Sequence, residues 1–445
     1  MKYKAYTRSN YKQIPQISKL TEREIFDIDV VSTIFPFKTN NYVIDKLIDW
    51  NNYKTDPLFV LNFPQKGMLK KEHYQEIAKM LRTNTPQEII KKRANEIHFQ
   101  LNPHTSGQLE QNIPQINGKK LYGFQHKYKQ TMLIFPSHGQ TCHAYCTFCF
   151  RWPQFIGVDE LKFATQEVEL MVEYIKHNPQ ITDVLFTGGD PLVMKASKLR
   201  QYIEPLLDDS ISNVQTIRIG TKSLAFWPYR FTQDDDSQEL LEIFRTIVSK
   251  GRNLAFMAHF CHPNELETEE VKEAIKQVLS TGAIIRTQSP VLKHINDDPE
   301  IWAKMLRMQV NLNLIPYYMF IPRDTGARDY FSLSLEEAWN VFRKAYQKVS
   351  GICRTIRGPV MSATPGKVQV LGVAQIKDEK VFVLRFIQGR NPDWVCRPFF
   401  AKYNKKALWL TDLEPAFGEK KFFFERQLEK FYHSAIKDIE YYDFE

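Results

Sequence analysis

Cys142, Cys146 and Cys149, in the run Thr141-Cys-His-Ala-Tyr-Cys-Thr-Phe-Cys-Phe-Arg-Trp152, constrain this chain more than any other feature. A spacing of three and then two intervening residues lets thiolates reach three irons of a [4Fe–4S] cluster and leaves the fourth iron without a protein ligand. An open iron invites a substrate or cofactor. The rival readings are cysteines that merely lie close and half of a zinc site. With 6 Cys in 445 residues chance clustering is disfavoured, and a zinc site would want a fourth close Cys or His.

The rest of the composition suits a cytoplasmic enzyme. At 445 residues with 43% hydrophobic content the chain exceeds one ordinary domain and can fill a large core. No apolar run approaches the ~18 residues of a membrane span, and Met1-Lys-Tyr-Lys-Ala-Tyr has no apolar signal segment. A reducing cytosol keeps thiols free for iron. The net charge of +9 is spread thinly; it is read as a solvated basic surface around a small-molecule site in preference to a nucleic-acid groove.

From residue 131 short β-rich runs alternate with amphipathic stretches, the signature of successive βα units. Candidate strands are 131–135, 183–187, 216–220, 253–259, 283–288 and 313–320, with helices such as Gln166–His177, Gln238–Val248, Thr268–Leu279 and Leu335–Val349 between them. Six units are too few for a closed eight-unit barrel and predict an α/β fold with an open partial (βα)6 barrel, whose chemistry lies where strands end. Residues 1–120 read as a helical N-terminal extension, 121–350 as the barrel, and 351–445 as a mixed C-terminal segment with strands near Val368–Val373 and Val381–Phe386. The aromatic tail at Phe422-Phe423-Phe424 reads as packing or a subunit contact, which leaves a homo-oligomer open.

Three further sites can carry chemistry. Thr187-Gly188-Gly189-Asp190 ends the strand after the cluster loop; paired glycines let backbone approach a ligand, and carbonyls with an acidic side chain suit an ammonium group. His259 and Gln288 end the fourth and fifth strands, at the expected mouth. Lys367 follows Pro365-Gly366; a lysine on a rigid turn beside a dry pocket can lose its proton and form a Schiff base, although a surface lysine is the plainer reading.

The cysteine spacing resembles that of radical S-adenosylmethionine (SAM) enzymes, and together these segments resemble the lysine 2,3-aminomutase family, which also uses pyridoxal phosphate (PLP). The similarity runs from about Asp56 to about Val373 and includes Ile217-Arg-Ile-Gly-Thr221, His259-Phe-Cys-His-Pro-Asn-Glu265, Asn296-Asp297 and Pro316-Tyr-Tyr318. The resemblance implies that Cys142, Cys146 and Cys149 hold the cluster and that Thr187, Gly188, Gly189, Asp190, His259 and Gln288 surround SAM. It further implies that Lys367 carries PLP and that Arg151 grips the substrate carboxylate, which suits a planar guanidinium. An electron donor such as flavodoxin or ferredoxin would reduce the cluster.

Departures from the family are equally specific. Arg323 stands where the lysine enzymes place the first of two ammonium-gripping aspartates, with Asp324 next to it, and Val360 stands at the second. The phosphate-holding arginines fall opposite Lys127 and Thr131, where Lys127 can still serve the cofactor phosphate as a point charge; the glycine run before the PLP lysine is Ser362-Ala-Thr-Pro-Gly366, and the tail cysteines that bind zinc are missing, so no zinc is expected. The implied activity is transfer of an amino group from the α- to the β-carbon of an amino acid other than lysine. Two alternatives stand beside it: a PLP-free radical SAM enzyme acting on a peptide or RNA, and a non-enzymatic basic iron–sulfur redox sensor that binds nucleic acid.

Overall fold

The computed structural model describes residues 1–102, 112–157 and 163–431. Its centre is one eleven-stranded sheet whose strand order follows the chain. The strands are β1 Phe124–Tyr128, β2 Thr131–Ile134, β3 Asp183–Phe186, β4 Thr216–Thr221, β5 Asn253–His259, β6 Ile284–Pro290, β7 Ile315–Phe320, β8 Arg357–Ser362, β9 Gly366–Ile376, β10 Glu379–Gly389 and β11 Pro398–Lys402. Strands β2 to β8 pair in parallel; β1 is antiparallel to β2, and β8 to β11 are antiparallel to one another. The six expected βα units are present, and β8 adds a seventh parallel strand.

A strand's side chains alternate between its faces, and here the two faces differ in chemistry. Met132, Val184, Phe186, Ile217, Ile219, Phe256 and Ile285 are fully buried beneath the covering helices. Alternate residues, Leu133, Leu185, Thr187, Arg218, Gly220, His259 and Gln288, line an interior cavity. Polar residues tolerated at that register therefore belong to the cavity. Thr287 in β6 fits the same rule from the other side, donating to Gln309 of helix Pro299–Asn311.

The helical extension contains Lys71–Arg82 and Gln87–Leu101. It also contains an unforeseen antiparallel pair, Ala5–Thr7 with Lys38–Asn40. Asp56 caps helix Pro57–Asn62 by accepting from Leu58 and Phe59 amides, and the far end of that helix offers the Val60 and Leu61 carbonyls to Thr147 of the cysteine loop.

At the other end, β9 and β10 form a long hairpin that continues the sheet. Phe422 and Phe424 pack on Phe399, and Phe424 also on Trp394 and Phe386; both also line the cavity. They are 6% and 3% exposed, so their rings serve as internal packing and offer no surface for a subunit contact. Among the described residues no helix is long and apolar enough to cross a membrane.

The hairpin's close approach depends on Gly366, since a Cβ there would collide with the Gln388 carbonyl. Backbone cannot give way as a flexible side chain can. Gly366→Ala should lower stability in guanidinium by about 1–3 kcal/mol, whereas Gly351→Ala, whose Cβ would meet open space, should change it by less than about 0.5 kcal/mol.

Candidate functional site

The interior cavity measures about 830 Å³ and opens at the C-terminal ends of the parallel strands, where ligands collect in such folds. Its wall includes Lys127, Arg151, Thr187, His259, Gln288, Arg323 and Lys367. Chain segments as distant as the cysteine loop and the β9–β10 hairpin thus meet at one space.

The cysteine loop is held from outside by the N-terminal extension. Tyr145 N donates to Lys38 O at 2.7 Å, Asn40 Nδ2 to His143 O at 3.1 Å and Thr147 N to Leu61 O at 3.0 Å. Cys142, Cys146 and Cys149 are half-buried, and after burial the nearby Asp190 and then the other two cysteines disfavour a thiolate at Cys142. Burial pushes the Cys149 thiol up to about 11 and the other two well above their ordinary value. Bare thiols in such a place stay protonated, and iron's positive charge favours the thiolates. Among the described residues no three His, Cys, Asp or Glu side chains converge on a single-ion position; thiolates that each bind a different iron need no such convergence. The donor set fits the cluster.

Behind the loop lies the glycine turn. A Cβ on Gly189 would strike the Thr141 backbone, and one on Gly188, at φ +135°, would strike the Gln140 side chain. These glycines pack the turn against the cysteine loop. The expectation that Asp190 offers its carboxylate to an ammonium ligand needs correction. That carboxylate is 2% exposed and already accepts from Leu192 N, Thr221 Oγ1, Lys222 N and Ser223 Oγ at 2.8–3.0 Å. Its own amide donates to Thr141 O at 2.7 Å. Thr187 forms the cavity wall here, while Gly188, Gly189 and Asp190 stand behind it.

His259 faces the cavity with its ring 5.8 Å from that of Phe148. Burial and then the nearby Lys222 hold its pKa well below the ordinary value, so the imidazole is neutral. Lys222 Nζ donates to His259 O at 3.3 Å and pairs with the fully buried Glu265 at 2.6 Å. That ion pair props up the end of β5 from behind.

Lys367 begins β9. Its Nζ donates to Gln388 Oε1 at 2.6 Å and lies 5.1 Å and 5.5 Å from the ring centres of Tyr318 and Tyr128. Burial, with Arg218 and Arg357 adding to it, brings its pKa down to about 7. A neutral amine in an aromatic-walled cavity is the nucleophile that a carbonyl cofactor needs, so the residues present fit PLP.

Arg151 and Arg323 lie near one ring: their guanidinium carbons are 5.4 Å and 4.9 Å from the centre of Phe150. Burial and then Arg323 bring the Arg151 pKa down to about 9. Asp324 also lines the cavity, but Val360 is fully buried within β8 and does not. Lys127 Nζ donates to Ala363 O at 2.6 Å. Four more residues that sequence reasoning passes over, Arg218, Tyr128, Gln388 and Arg390, also reach the cavity. For Arg218 the strand alternation is the available signal; Arg390 gives none, because its place is set by the register of the β9–β10 hairpin.

Fold and site define a partial parallel barrel whose cavity brings a three-cysteine loop to an internal lysine. No family model matches the chain. A protein of Aquifex aeolicus (strain VF5), provisionally named L-lysine 2,3-aminomutase, is 31% identical over 405 residues, covering 91% of this chain and 95% of the relative. The chain belongs to the lysine 2,3-aminomutase family. The L-lysine 2,3-aminomutase of Acetoanaerobium sticklandii is 27% identical over 62% of each chain, and the glutamate 2,3-aminomutase of Clostridioides difficile (strain 630) is 27% identical over 47% of each; in both, the match spans under two thirds of the relative. A radical SAM methyltransferase structure from Sphaerobacter thermophilus aligns at TM-score 0.38 with 13% identity, over 65% of this chain and 94% of that one.

In protein free of PLP, the Lys367 amine should react with an acylating reagent in a pH-dependent way. A depressed pKa means the neutral amine accumulates as pH rises through about 7, whereas an ordinary lysine stays protonated until about 10. Mass spectrometry of the Lys367 peptide should show half-maximal rate near pH 7.

Proposed function

We propose that the chain is an amino-acid 2,3-aminomutase whose substrate carries a carboxylate or neutral polar side chain in place of lysine's ammonium. The observation that carries this is the single cavity shared by Lys367, the cysteine-loop residue Arg151, and Thr187, His259 and Gln288. When bound, the cluster with SAM supplies a hydrogen-abstracting radical, and PLP supplies the π system across which nitrogen migrates.

In this reading Cys142, Cys146 and Cys149 would ligate the cluster, and Thr187, His259 and Gln288, which line the cavity, would hold SAM. Lys367, whose proton is readily lost in these surroundings, would be the amine that holds the cofactor's carbonyl end. Arg151 takes the α-carboxylate through its planar fork. Arg323, beside Phe150 on the same cavity wall, would offer a second cation to the substrate's far end. The aromatic wall of Tyr128, Tyr318, Phe422 and Phe424 excludes water that would quench a radical. Residues 1–120, 121–350 and 351–445 then divide the work: holding the cysteine loop, presenting SAM, and carrying the lysine. A small redox protein of the flavodoxin or ferredoxin kind would supply the electron.

Placing a guanidinium against a lysine ammonium in a buried site costs on the order of several kcal/mol. Anaerobic protein given SAM, dithionite and PLP should convert glutamate or aspartate to a β-amino acid at least about a hundredfold faster than lysine, the ratio that roughly 3 kcal/mol produces. Arg323→Asp should shift preference toward lysine. Wild type that prefers lysine, with no gain from the substitution, would refute the charge argument.

A further inference from the structure

The β9–β10 hairpin has a consequence for the far end of the cofactor. Its register pairs Gly366 with Gly389 and Lys367 with Gln388. The next residue along, Arg390, therefore returns beside the turn that precedes Lys367, and Arg390 N donates to Pro365 O at 3.0 Å. The Arg390 side chain donates through Nε to Thr364 O at 3.0 Å and through a terminal nitrogen to the buried Asn112 Oδ1 at 2.6 Å. From the opposite side, at β1, Lys127 Nζ donates to Ala363 O. Two cations thus grip consecutive carbonyls of one turn, and both line the cavity alongside Ser362, Ala363, Thr364 and Pro365.

Their charges work against each other. Burial, then Arg390, Arg323 and Lys367, drives the Lys127 pKa well below the ordinary value. Like charges held together at a cavity wall are the arrangement that a bound anion relieves, and a dianion relieves most.

We propose that Lys127, Arg390 and the 362–366 turn form a phosphate dianion site, the anchor for the phosphate of PLP whose carbonyl meets Lys367. This rests on the reading of Lys367 as the cofactor lysine. It also accounts for how the chain manages with Lys127 and Thr131 where its relatives are expected to carry arginines: the charge is supplied from the other end of the molecule, by Arg390. An arginine contributes a bidentate fork and Lys127 a point charge.

Direct titration with PLP and with pyridoxal, which lacks the phosphate, tests the site through the visible absorbance of cofactor joined to a lysine. Wild type should bind PLP at least about a hundredfold more tightly than pyridoxal. Arg390→Ala should weaken PLP about ten- to a hundredfold and leave pyridoxal within about twofold, with Arg390→Lys between. An unchanged cluster spectrum and unliganded melting midpoint establish that the variant is folded. PLP affinity unaffected by Arg390→Ala, or an equal loss for pyridoxal, overturns the site while the Lys367 reading stands. A parallel arm uses inorganic phosphate: should wild type take no PLP onto Lys367, a phosphate-dependent rise in melting midpoint that Arg390→Ala abolishes upholds the dianion site and removes the cofactor reading. Absence of any such rise in wild type then overturns both.

Discussion

The Asp190 carboxylate is the junction on which the site's geometry depends. It ties the end of β3 to the end of β4 by accepting from Thr221, Lys222 and Ser223, and its amide ties both to the cysteine loop through Thr141 O. Ser223 Oγ lies 3.0 Å from His143 Nδ1. Burial holds His143 neutral, with a pKa near 3; Ser223 spends its one hydrogen on Asp190, which assigns the proton of the His143–Ser223 bond to Nδ1. One buried charge, 2% exposed, thus fixes a loop residue adjoining Cys142, the turn beside Thr187 and the start of the next connection. Losing such an acceptor would orphan several buried donors at about 1–3 kcal/mol each. An acidic residue at this position is needed for packing whether or not it ever touches a ligand.

Around that junction the cavity sorts by charge. Acidic groups are drawn into pairs behind the wall, as in Asp183 with Arg218 and Glu265 with Lys222. Arg151, Arg323, Lys127 and Arg390 remain on the wall itself, which Asp324 and Glu425 also line. Low polarity makes each of these charges count for more than it would at the surface. The result is a space suited to ligands bearing several negative charges, with a neutral lysine set among aromatic rings at its base.

Much of the barrel is legible in the amino-acid sequence alone. The strands show because residues such as Thr216-Ile-Arg-Ile-Gly alternate with the period of a pleated sheet, and the cysteine spacing is meaningful without a fold. The three-residue pair Ala5–Thr7 and Lys38–Asn40 is too short to leave a pattern. Asp190 misleads because a sequence shows an acid beside two glycines without showing which way its carboxylate turns. Lys367 stands out only through family resemblance, since Pro-Gly-Lys also describes many surface turns. Arg390 leaves no trace because its place depends on register accumulated along two eleven-residue strands, and a slip of one residue would send it to the other face. The aromatic tail does not name its partners: Phe399 and Trp394 become its neighbours only once β11 has joined the sheet.

The central claim is that one cavity joins radical generation at the cysteine loop to chemistry on an amino acid held at Lys367. Isotope transfer tests it most directly. With a β-deuterated amino-acid substrate, SAM, reductant and PLP, deuterium should appear in the 5′ position of the adenosyl group and in the β-amino acid product, and both labels should vanish in Lys367→Ala although reduction still cleaves SAM. Cleavage of SAM with no deuterium transfer from any amino acid, or transfer undiminished in Lys367→Ala, would contradict it.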